Sequence, residues 1–129
     1  MGSIKELVHA EIFSDFLDTA SYLLEERYKD PAAVIGGAAL ESHLRQLCIK
    51  HEVDAEAADG AGIMRAKKAE RMNQDLAKVP AYGVLDQKNV TAWLDLRNKA
   101  AHGRFAEYTK EQVGTVIGGV REFIARLPA

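Results

Sequence analysis

A chain of 129 residues with a formal net charge of −2 suits one domain around one core, and it excludes a basic field spread over the whole surface. A hydrophobic share of 47% and a charged share of 28% are ordinary for a globular protein. Cys48 is the single cysteine, so an internal disulfide is excluded; no Cys/His group has zinc spacing, and neither a metal nor a cofactor is expected. The sequence shows no signal-peptide pattern and no apolar run long enough to cross a bilayer, which makes a reduced, cytoplasmic setting without membrane contact the expectation.

Helix-favouring Ala, Leu, Glu and Lys recur and β-branched runs are rare, which tilts the chain towards helix, and the elements along it make one all-α domain of four to five helices over residues 1–129. Met1-Gly2-Ser3 has the look of an expression scar, yet Ser3 and Glu6 have the spacing of a capping box. The first helix is predicted over Ile4–Tyr28, with Ile12, Phe13, Phe16, Leu17, Ala20, Leu23 and Leu24 as its core stripe; Ile4, Leu7 and Val8 fall on another face. Asp30-Pro31 reads as N-cap and first helical residue of a second helix reaching His51. Its apolar residues surround the axis, the mark of a central helix, and Gly36-Gly37 leave room for a neighbour. Val53–Met64 reads as the main loop, Arg65–Val79 as a third helix ended by Pro80, and Asp86–His102 as a fourth with Gly103 just past its end. Thr109 and Gln112 form a capping box for the fifth, where Gly114, Gly118 and Gly119 suggest a tight helix–helix approach.

The chemistry concentrates in Trp93–Gly103. At about 100° per residue, Val90, Trp93, Leu94 and Ala101 make an apolar stripe with Arg97 in its middle. A guanidinium there is costly unless it is paired or reaches water, and it cannot escape by losing its proton. Asn98 and His102 are four apart on one face, and His102 falls in the C-terminal turn of the helix. Arg97 and His102 diverge by about 140° on an ideal helix, so they share a site only if the helix ends or distorts, or if a second chain completes the cleft. Glu41 is the matching oddity on the second helix. Two partners suit it: Arg45, four residues on, and Arg97 across the interface. Arg65, Lys67, Lys68 and Arg71 form a basic cluster, which reads as a solvated face or a guide for an RNA backbone.

Arg97-Asn98-Lys99-Ala100-Ala101-His102, an Arg-x4-His pattern ending a late helix, resembles the signature of HEPN domains. Asp30-Pro31-Ala32-Ala33-Val34 leading into Ala39-Leu40-Glu41-Ser42-His43-Leu44-Arg45 looks like the first half of short bacterial members. The resemblance implies a HEPN-like up-and-down bundle, a homodimer with the motif in a cleft between protomers, and metal-independent endoribonuclease chemistry, as in defence or toxin systems. An antitoxin or other partner protein would accompany that role. Carried over, His102 is general acid or base, Arg97 stabilises phosphate charge, and Asn98 orients His102 or binds phosphate. Arg104, Lys99 and Glu41 count as substrate-binding residues. Arg104 stands where some toxin members carry Tyr, and Tyr108 lies too far on to replace it, which weakens the Tyr-modified type. The competing expectation is a non-catalytic HEPN-like module that dimerises or binds RNA or a nucleotide, with Arg97 and Glu41 as an ion pair; no Gly-rich phosphate loop supports nucleotide binding.

Overall fold

Helix formation along this chain is set by its caps and by the apolar line each helix presents. The computed structural model describes residues 3–129; Met1 and Gly2, read above as an expression scar, lie outside them. Helix α1 spans Ile4–Glu25. The Ser3 hydroxyl accepts the Glu6 N–H at 3.1 Å, and the Glu6 carboxylate accepts the Ser3 N–H at 3.4 Å. Phe13, Leu17 and Ala20 are buried, but Ile12 and Phe16 are 44% and 47% exposed, contrary to the expected stripe. Neighbouring residues on a helix point about 100° apart, so Ile12 and Phe16 cannot follow Phe13 and Leu17 into the same core.

Helix α2, Lys29–Lys50, touches every other helix and is the centre of an all-α bundle. Tyr28, not Asp30, is its N-cap residue. The Asp30 carboxylate is instead engaged by the Lys29 ammonium at 2.8 Å and the Tyr108 hydroxyl, which leaves it unavailable for capping. Burial works to raise the Asp30 carboxyl, but those two hydrogen bonds prevail and hold it below the ordinary value.

The expected loop contains a hairpin of β1 (Glu56–Ala58) and β2 (Met64–Ala66), antiparallel with Ala57 opposite Arg65. Asp59 organises its turn. Its side chain accepts the N–H groups of Ala61 and Ile63 at 2.8 and 3.0 Å and the Arg65 Nε–H at 2.6 Å. Helix α3 therefore begins late, at Ala69, and runs to Lys78. Helix α4 spans Val84–Ala101 from an N-cap at Gly83, starting before the expected Asp86, which lies in the first turn and receives Arg126 at 2.7 and 3.0 Å. A 3-10 turn, Phe105–Glu107, leads to α5, Lys110–Arg126, whose Thr109–Gln112 capping box is formed as expected. Among the described residues, no helix is long and apolar enough to cross a membrane.

His43, a polar residue within α2, is 1% exposed. Its ring stands edge-on to Phe13 and Phe123, and Nε2 lies 2.8 Å from the Leu127 carbonyl, which makes Nε2–H the donor. Burial lowers its pKa to about 4, opposed by the Leu127 hydrogen bond and helped by His9 and Lys50. The unfolded imidazole keeps the ordinary value of 6.5 and so binds the proton first. Stability is thus full above pH 6.5, falls as pH drops from 6.5, and levels off near 4. The expected loss from this group is about 3 kcal/mol. Denaturant unfolding of wild type and His43→Leu between these limits checks it; a wild-type slope that the variant retains in full would contradict it.

Candidate functional site

Helices α2 and α4 meet where Gly37 faces Arg97. A Cβ on Gly37 would stand 1.9 Å from Arg97 Cγ and 2.7 Å from Arg97 Cβ. The glycine is therefore the notch in which the arginine's hydrocarbon stem lies. This resolves the charge on an apolar stripe: the methylenes are buried against α2 and the guanidinium emerges beyond them.

The Arg97 side chain is 16% exposed and lies in a ring of polar partners. Its Nη1 donates to Glu41 Oε1 at 2.9 Å and its Nε donates to Asn98 Oδ1 at 3.0 Å. Asn98 Nδ2 donates in turn to Glu70 Oε1 at 3.2 Å, and that carboxylate stands 3.9 Å from Arg97 Nη2. Glu41 also receives Arg45 at 3.4 Å, so both partners foreseen for it are used. The Asn98 amide is oriented by Arg97 and Glu70. Its tie to His102 is through backbone, the His102 N–H donating to the Asn98 carbonyl at 3.0 Å.

His102 is the residue at which α4 stops, with Gly103 at φ +75° turning the chain away. The helical bond from the His102 N–H to the Asn98 carbonyl is still made, so the helix ends at His102 and not before it. Arg97, Asn98 and His102 line one cleft of about 300 Å³ together with Glu41, Lys68 and Glu70. A second hollow of about 470 Å³ shares Glu41, Arg97 and Asn98 with it and continues past Ser42 and Arg45. Two hydrogen bonds occupy two of the five N–H groups of the Arg97 guanidinium and Nη2 faces the Glu70 carboxylate at 3.9 Å, so an anion in the trough would compete with Glu41 and Glu70 for this cation. An exposed imidazole beside them can exchange a proton with whatever binds there.

Two of the expected substrate-binding residues fall elsewhere. Lys99 projects to the opposite side of α4, towards α5, and pairs with Asp95 at 3.2 Å. Two residues along a helix turn the side chain by about 200°, so Arg97 and Lys99 cannot share a face. Arg104 lies beyond the helix end, exposed, 3.9 Å from Glu107 and outside the cleft lining. The basic cluster also disperses. Lys67 and Arg71 pair with Asp75 at 2.8 and 3.3 Å, and Arg65 pairs with Asp59, so Lys68 alone reaches the cleft. Glu70 was not foreseen; its only signal is an acidic residue in the first turn of α3, and its role depends on how α3 packs against α4. In comparisons with family models, curated proteins and solved structures, nothing matches this chain.

Proposed function

We propose that this chain is a metal-independent endoribonuclease of HEPN type acting in the cytoplasm, in a defence or toxin system with a second copy and an antitoxin as its partners. In this reading the RNA 2′-hydroxyl attacks the adjacent phosphate, the 5′-oxygen leaves, and a cyclic phosphate and a 5′-hydroxyl end result. His102 transfers the proton, Arg97 stabilises the phosphate oxygens, and Asn98 fixes Arg97. The observation that carries the reading is that Arg97 and His102 line one cleft although five residues separate them on the chain. The test is cleavage of RNA by purified protein in the presence of chelator, with wild type compared against His102→Ala. Equal cutting by the two proteins would reject it.

The pairing of Arg97 with Glu41 and Glu70 supports a second reading, a non-catalytic module in which the arginine braces α2, α3 and α4 and the trough binds RNA or a nucleotide. Saturable RNA or nucleotide binding without cleavage would separate it from the first.

A further inference from the structure

On the other side of α4 a groove of about 390 Å³ runs between α4, the 3-10 turn and α5, and Arg97, Asn98 and His102 have no part in it. Its volume is in the range of small-molecule sites. Its floor is apolar and aromatic: Trp93, Leu96, Tyr108 and Val116. The indole is held in place. A Cβ on Gly119 would lie 2.4 Å from Trp93 Cζ2, so the ring rests directly on the α5 backbone, and it stands edge-on to Phe123 at 6.0 Å. Tyr108, 4% exposed, is fixed by its hydrogen bond to Asp30 and already carries a cation, the Lys29 ammonium 4.0 Å from its ring centre.

The rim is acidic. Lys99 is matched by Asp95. Glu107 is only loosely held, 3.9 Å from Arg104, and Glu111 takes part in no ion pair among the described residues. An anion would be repelled here, whereas a cation gains two carboxylates at the mouth of an aromatic floor. We propose that this groove binds a small organic ammonium, a primary amine on an aryl or short alkyl body. The body lies against Trp93, Leu96 and Val116, and the ammonium meets Glu107 and Glu111. The site is independent of the ribonuclease reading, since it shares no residue with the Arg97 cleft.

Trp93 is the only tryptophan, so its fluorescence reports on the groove directly. Phenethylammonium is expected to change that emission saturably. Its uncharged analogue phenylethanol should bind about tenfold more weakly, and Glu107→Gln/Glu111→Gln should lose the same factor for the amine only. Both glutamates are exposed, so the fold tolerates the exchange. His102→Ala, exposed and outside the groove, should bind the amine like wild type. No saturable response, equal affinity for the alcohol, or binding of an oligolysine peptide without binding of phenethylammonium would each overturn the proposal.

Discussion

His102→Ala is expected to lower RNA cleavage by about two orders of magnitude or more, the usual contribution of a positioned proton-transfer group. The substitution is a clean one. His102 is exposed at the end of α4, and its backbone N–H keeps the bond to the Asn98 carbonyl whatever the side chain. The unfolding midpoint should therefore stay at the wild-type value while activity falls. Arg97 needs a different exchange. Arg97→Ala would take from Glu70 its cation and leave Glu41 with Arg45 alone, so lost activity could reflect lost structure. Arg97→Lys keeps the charge and the stem but loses the planar fork that meets both Asn98 and Glu41. A loss of cleavage by about tenfold or more in the lysine variant, with folding intact, is the expected result. Gel analysis of end-labelled RNA reads both variants; undiminished cutting by His102→Ala at unchanged stability rules out the assigned role.

Gly37→Ala is expected to destabilise the protein by about 1–3 kcal/mol, the range for forcing extra volume into a packed contact. On an exposed helical surface the same change would stabilise by up to about 1 kcal/mol, because alanine is the better helix former. The sign of the effect therefore decides whether α2 and the Arg97 stem are in contact. The stem cannot yield easily, since the guanidinium at its end is held by Glu41 and Asn98. The variant should also lose activity, because the methyl group pushes Arg97 off its seat. In the double variant Gly37→Ala/Arg97→Ala the clash is gone, and the two costs should fall short of additivity. Denaturant unfolding of the four proteins gives the coupling directly. A Gly37→Ala protein as stable as wild type would contradict the close approach.

Local signals in this sequence were readable because their physics is local. The Ser3–Glu6 and Thr109–Gln112 boxes need only a three-residue spacing, and both are formed. The end of α4 at His102-Gly103 follows from the glycine's positive φ. The oddness of Arg97 was legible too, because a guanidinium on an apolar stripe needs a partner. What it lies against was less so: Gly37 appeared as a place for close approach, but the approaching group is a side-chain stem. Of the three glycines of α5, Gly119 admits the tight neighbour, Trp93, while Gly114 makes an ordinary contact with Leu24 and Gly118 faces open space. The hairpin escaped notice because its strands have three residues each and alanine-rich sequence, too short for an alternation to appear. Glu70 and the dispersal of the basic cluster depend on which way α3 faces, a tertiary choice. His43 reads as a polar helix residue, yet two phenylalanines from α1 and α5 enclose it. Neither is its neighbour in sequence.

In the proposed reaction the guanidinium of Arg97 and the imidazole of His102 act together on a phosphate whose neighbouring 2′-hydroxyl is the nucleophile. The most direct measurement is cleavage of an RNA oligonucleotide by wild-type protein in chelator, set beside the same oligonucleotide with a single deoxynucleotide at the cut site. A cyclic phosphate and a 5′-hydroxyl end are expected from the first, and an intact second strand. Cleavage of both strands at equal rates, or an intact RNA strand under conditions where the protein is folded, would contradict it.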